Sequence, residues 1–184
     1  MVGNFLADML KGKERDSLPR AISDGVEIHH LIDSYTDSHS LVLETRKILY
    51  PYFNKYAAVV QDVYFDHFLA KSWGHYSDEP LFKYAERVYR ILGKRVDLFN
   101  ERAERTYYYM STQNWLYNYA GIEGLDRALT GLSRRARFQN NMDNSIEPLL
   151  KHHDELFDLF SVFFPKLEKE VKKALDTLPP EPKP

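Results

Sequence analysis

The chain has 184 residues, 43% of them hydrophobic, enough for one ordinary core and so for a single domain. Its net charge of −2 lacks the strongly basic footprint of a general nucleic-acid binder. With no cysteine there is neither a disulfide nor a thiolate ligand, which fits a reducing cytoplasm, and no apolar run reaches the roughly 18 residues a membrane span needs.

Phe5, Leu6, Met9 and Leu10 carry helical spacing, and Gly12 between lysines predicts the stop. Asp8 lies inside this short apolar segment. It is either a solvated residue or a carboxylate that needs a partner. A connection through Pro19 follows, with Ser23 or Asp24 as the expected cap of the next helix. In that helix Ile28, Leu31, Ile32 and Tyr35 form the apolar stripe. His29, Asp33 and Asp37 recur every four residues on roughly the opposite face. On a surface helix such a face is simply solvated. Sandwiched between layers, its imidazole and carboxylates are ligands for a divalent metal.

Pro51 is expected to interrupt the helical stretch 41–56. The stretch 57–73 is apolar all round, the pattern of a buried helix, yet it carries Asp62 and Asp66 one turn apart and then His67. Two carboxylates inside a protein must be paired, protonated or metal-bound. They are therefore expected inside, facing His29 and Asp33 across a helix pair. Pro80 opens a helix with Leu81, Tyr84, Val88 and Leu92 as its stripe and Gly93 as its end. The aromatic-rich stretch 97–119 reads as core or groove wall more readily than as a ligand platform. Gly121 to Gly124 is expected as a turn before a short helix. Arg134, Arg135 and Arg137 form the densest basic run, either a solvated cluster or a phosphate clamp. One long helix is expected over 144–175, bent or broken at Pro165, with His153 on its apolar stripe as a core histidine. The stretch 177–184, with four prolines, is expected to be a disordered tail after a helical domain spanning 1–176.

Several segments together resemble the acyl carrier protein phosphodiesterases. They are Gly3-Asn-Phe-Leu-Ala-Asp8, the run from His29 through Asp33 and Asp37 to His39, and Asp62-Val-Tyr-Phe-Asp66-His67. The stretch Gln113 to Tyr119, Ser133-Arg134-Arg135 and Phe163-Phe164-Pro165 continue the likeness in order. That family is similar to the all-helical HD superfamily of metal-dependent phosphohydrolases, so the resemblance implies an all-α, HD-like, single-domain fold. It implies hydrolysis of the phosphodiester between 4′-phosphopantetheine and a serine of acyl carrier protein, with Mn²⁺ as the expected ion and Mg²⁺ or Fe as alternatives. Carried over to this chain, the implied metal ligands are Asp8, His29, Asp33, Asp62, Asp66 and His67. Asp66 and His67 are also expected in catalysis with Arg134 and Arg135. His30, His39 and Arg137 are expected to meet the substrate. Family members usually open with a segment like Met-Asn-Phe-Leu-Ala-His ahead of the Gly-Asn motif. This chain starts after it, so a histidine from that segment is missing from the expected set. His30 stands where the family more often has arginine. A small-molecule phosphohydrolase acting on a nucleotide, and a helical binding module without catalysis, are the alternative readings.

Overall fold

The computed structural model describes residues 1–178, and the expected tail falls mostly outside them, at 179–184. Every regular element among the described residues is helical: α1 (Val2–Leu6), α2 (Lys13–Asp16), α3 (Arg20–Ser38), α4 (Ser40–Phe53), α5 (Ala57–Lys71), α6 (Leu81–Gly93), α7 (Glu101–Thr112), α8 (Trp115–Asn118), α9 (Ile122–Arg135), α10 (Ile146–Lys151) and α11 (His153–Thr177). Among those residues no helix is long and apolar enough to cross a membrane.

The α3 helix begins earlier than its polar residues suggest. Pro19, with extended backbone at φ −55° and ψ 143°, occupies the N-cap, so Ser23 and Asp24 lie within the helix rather than capping it. At the other end the Ser38 hydroxyl donates to the Ser34 carbonyl, and His39 turns extended. The His39 Nδ1 then accepts the Leu41 backbone N–H and caps α4. Pro51 does not break α4, which runs on to Phe53 and ends where Asn54 turns to positive φ. The expected single C-terminal helix is two, separated at His152, and Pro165 sits inside the second. The expected turn at Gly121 to Gly124 is mostly helix, because α9 starts at Ile122.

Two apolar clusters result. The larger surrounds α5, whose Val60, Tyr64 and Phe68 pack with Leu49 and Phe53 of α4, Leu125 and Leu129 of α9, and Leu156, Phe160 and Phe163 of α11. Each fully buried side chain of this size stabilises by about 1.5–3 kcal/mol. The smaller cluster joins Val2, Leu6 and Leu10 to Ile22 of α3, Val88 and Leu92 of α6 and Ala103 of α7. The α3 helix belongs to both, with Ile22 in the smaller cluster and Tyr35 against the larger. His29 and Asp33 lie between those two anchor points.

The approach of α1 to α3 depends on missing side chains. A Cβ on Gly3 would collide with the Ile22 carbonyl oxygen, and one on Gly25 would sit 3.2 Å from the Gly3 Cα. Gly3→Ala is therefore expected to cost about 1–3 kcal/mol as the helices are forced apart. In a protein of this size that is about 2–4 °C of melting temperature per kcal/mol. Gly25→Ala should cost less. Thermal melts of the two variants check this ordering, and a Gly3→Ala protein as stable as the parent would contradict it.

Candidate metal centre and acidic cleft

The α1–α3 crossing carries Asp8 to His29. The His29 Nε2 lies 3.3 Å from an Asp8 carboxylate oxygen and 3.1 Å from one of Asp33. One ligand atom from each of the three residues lies within 4.8 Å of the other two. His29 is only 17% exposed at its side chain, whereas Asp8 and Asp33 are 67% and 50% exposed. The His29 Nε2 is shielded from solvent, with no well-aligned hydrogen-bond partner. One imidazole nitrogen and two carboxylate oxygens aimed at one point repel one another unless a positive charge, a proton or a cation, sits among them. Two carboxylates and an imidazole suit Mn²⁺, Fe or Zn²⁺. Loss of hydration raises the Asp33 pKa. His29 opposes that rise, and Asp8 and Asp37 reinforce it.

Cationic groups frame this triad. Arg15 donates to the carbonyls of Ala7 and Leu10, and its Nη1 stands 3.4 Å from the His30 Nε2. His30 is exposed beside His29, their ring centroids 5.9 Å apart. Arg102 donates to the Asp8 carbonyl at 3.0 Å. The segment just past α1 is thus fixed by two guanidinium groups that use backbone oxygens and leave the Asp8 carboxylate free.

Asp62 and Asp66 extend the negative charge along α5. They were expected inside, but both are exposed. Three sides of α5 are buried and its fourth carries Asp62 and Asp66. Loss of hydration dominates both, pushing Asp62 up to about 6 and Asp66 up to about 7. Arg46 holds Asp62 down, Asp37 and Asp33 push it up, and Asp62 in turn raises Asp66. The charge of Asp66 next acts on Tyr119, whose hydroxyl is raised chiefly by burial and is opposed by Arg135.

Other expected site residues are placed differently. Asp37 shares the helix face of His29 but is held by Arg46, whose Nη2 donates to it at 2.6 Å while Nε donates to the Gln61 Oε1 at 3.1 Å. His67 is buried on another side of α5, its Nδ1 2.7 Å from the Tyr119 carbonyl oxygen. That bond fixes Nδ1 as the protonated nitrogen and ties α5 to the α8–α9 junction. Burial lowers the His67 pKa against the pull of the same bond. The structure thus keeps His67 out of the triad. His39 lies about 15 Å along α3 from His29 at 1.5 Å per residue. Besides capping α4, its ring packs against Tyr35 and Phe163. Arg134 and Arg135 line a cavity of about 380 Å³ between α7, α8 and α9. Arg137 is exposed beside Phe138, outside that lining. Arg46, Gln61 and Tyr119 were missed as site residues. Their roles come from contacts between helices distant in sequence, which no local motif signals.

The raised carboxyl groups give the metal-free protein a defined pH dependence. Near pH 4 and below, folded and unfolded chains both hold these protons. Between about 4 and 7 only the folded chain keeps them, so stability falls as pH rises through that window. Asp62→Asn and Asp66→Asn should each flatten this fall. Chemical unfolding of the metal-free chain at pH 5 and pH 8 measures it, and an unchanged slope in both variants would contradict the assignment.

A family profile described as acyl carrier protein phosphodiesterase matches residues 1–167. The chain is 33% identical over 171 residues to an acyl carrier protein phosphodiesterase of Klebsiella pneumoniae subsp. pneumoniae, covering 90% of this chain and 86% of that protein. It is 30% identical over 179 residues to one from Escherichia coli O6:H1, covering 94% and 91% respectively. One from Photorhabdus laumondii subsp. laumondii is 25% identical over 184 residues, with 97% and 91% covered. No solved structure matches the chain.

Proposed function

The chain belongs to the acyl carrier protein phosphodiesterase family, and from that premise we propose that it hydrolyses 4′-phosphopantetheine from the serine of holo acyl carrier protein with a divalent metal, Mn²⁺ foremost. The observation that carries this reading is the convergence of ligand atoms from Asp8, His29 and Asp33 on one point. Asp8, His29 and Asp33 would hold the ion. When bound, such an ion polarises a phosphoryl oxygen and lowers the pKa of water.

In the reaction a water oxygen bonds to phosphorus, the bond from phosphorus to the seryl oxygen breaks, and serine leaves with a proton. Asp66, pushed up to about 7, exchanges a proton near neutral pH and suits the role of the group that takes one from water. Its exposure keeps it in contact with solvent. Arg15 and His30 flank the triad on its exposed side and suit contact with phosphate oxygens. His30 takes the place of the arginine more usual in the family, and Arg15 beside it supplies a fixed guanidinium. Arg134 and Arg135 suit the same task from the cavity side. His67 acts here as a positioning residue, through the Tyr119 backbone. Arg46 likewise keeps Asp37 out of the triad and holds α3, α4 and α5 in register.

Mass spectrometry of holo acyl carrier protein incubated with the chain and Mn²⁺ tests the reading, the expected product being the apo protein. His29→Ala should abolish the conversion, and Asp66→Asn should slow it by about 10²–10⁴-fold, the usual worth of a proton-transfer group. A chain that leaves holo acyl carrier protein intact but hydrolyses nucleotides would be a small-molecule phosphohydrolase instead.

Acyl carrier proteins are strongly acidic, so docking should use exposed basic residues such as Lys11, Lys13 and Arg137. Exposed charges are screened over about 10 Å at 0.1 M salt. Catalytic efficiency toward the carrier protein should fall steeply with ionic strength, and Arg137→Glu should lower efficiency toward the carrier protein more than toward a small substrate. A small pantetheine phosphodiester should show a much weaker dependence. Equal salt sensitivity of the two substrates would contradict protein docking.

A further inference from the structure

The cavity between α7, α8 and α9 is not needed to hold a metal, yet it adjoins α5 through one shared residue. Tyr119 lines it, and the Tyr119 carbonyl oxygen lies 2.7 Å from the Nδ1 of His67, the residue after Asp66. At about 380 Å³ the cavity falls in the range of roughly 300–1,000 Å³ usual for small-molecule sites.

We propose that this cavity receives the pantetheine arm that leads away from the phosphate, an inference that rests on the phosphodiesterase reading above. The arm is a linear chain with a gem-dimethyl group, two secondary amides and a terminal sulfur. Its hydrocarbon parts match the walls made by Tyr109, Trp115 and Leu132. Its amides match two side-chain amides in the lining that are only half used. The Gln113 Oε1 accepts from the Trp115 indole N–H at 2.9 Å, which leaves the Gln113 NH₂ as a donor. The Asn118 NH₂ donates to the Gln113 carbonyl at 2.7 Å, which leaves the Asn118 Oδ1 as an acceptor. One free donor and one free acceptor are the complement of a peptide-like amide.

The charge at the cavity agrees with a ligand that begins in a phosphate. Arg127, Arg134 and Arg135 all line it, and among the described residues none of them forms a salt bridge with a carboxylate. Guanidinium groups left without carboxylates around an apolar cavity suit an anion at its mouth. An arm anchored there would leave its phosphodiester toward Tyr119 and the α5 turn that carries Asp66 and His67. Binding energy from the arm, remote from the reacting bond, would then orient the phosphorus.

Gly131 gives a direct test. A Cβ built there meets nothing closer than the Arg135 Nη2 at 3.9 Å, so a side chain at 131 can enter the cavity without moving backbone. Replacing a mid-helix glycine also favours the helix, so folding is not at risk. Free pantetheine, which carries no phosphate, is titrated into the full chain and into Gly131→Leu by calorimetry, with Trp115 fluorescence as a second readout. The expected result is binding to the parent and at least tenfold weaker binding to Gly131→Leu. No binding to the parent at millimolar pantetheine, or equal binding to both proteins, would overturn the arm site even if holo acyl carrier protein is hydrolysed. Pantetheine binding that Gly131→Leu weakens, beside intact holo acyl carrier protein, would uphold the cavity assignment and remove the phosphodiesterase reading.

Discussion

The contact on which the site depends is between two backbones. Where α1 crosses α3, Gly3 and Gly25 have no Cβ, and the Ile22 carbonyl and the Val26 amide occupy the space a side chain on Gly3 would take. Only at this separation does Asp8, just past the end of α1 at Leu6, reach the imidazole of His29. The packing energy comes from Val2, Leu6, Leu10 and Ile22, which bury together in the smaller cluster. Apolar burial thus brings a carboxylate against a histidine and a second carboxylate, an arrangement unfavourable by electrostatics alone. Arg15 and Arg102 secure the same region through backbone oxygens. Their positive charge eases the concentration of acid without neutralising any carboxylate by a direct ion pair.

The second constraint is α5. Its buried faces join α4, α9 and α11 around Tyr64 and Phe68, and its one open side presents Asp62 and Asp66. Because the helix cannot rotate without exposing its aromatic core, the two carboxylates are held on that open side, close together. Arg46 and His67 complete the restraint from opposite sides, one toward α3 and α4, the other toward the α8–α9 junction. The result is a graded surface. It is acidic at the triad, carries at Asp66 a carboxyl raised by lost hydration and by Asp62, and is basic where Arg134 and Arg135 line the cavity.

The helices that were legible in the sequence are those whose pattern is set locally. The all-round apolar character of 57–73 marked α5, which ends at Lys71, and the stripe ending in Gly93 marked α6. Proline misled where its environment was not local. Pro51 and Pro165 are accommodated within helices, while Pro19 supplies the cap expected of Ser23 or Asp24. In the site, the spacing of four between His29 and Asp33 was sufficient to place them together. Asp8 joined them only through the helix crossing. Asp62 and Asp66 were read from the character of their helix as enclosed, but a helix buried on three sides gives nearly the same composition as one buried on four. His67 illustrates the limit of adjacency. One residue on from Asp66, it is turned by about 100° and meets a different neighbour. Arg46 was not legible because its partners, Asp37 and Gln61, lie on two other helices.

We propose Asp8, His29 and Asp33 as a cation site whose nitrogen ligand is His29. Pulsed electron paramagnetic resonance of Mn²⁺ added to the full chain tests it most directly, because a directly bound imidazole imprints nitrogen-nucleus modulation on the metal signal. One tightly bound Mn²⁺ with that modulation is expected in the parent, and its loss in His29→Gln. Bound Mn²⁺ without nitrogen modulation, or modulation that persists in His29→Gln, would contradict it.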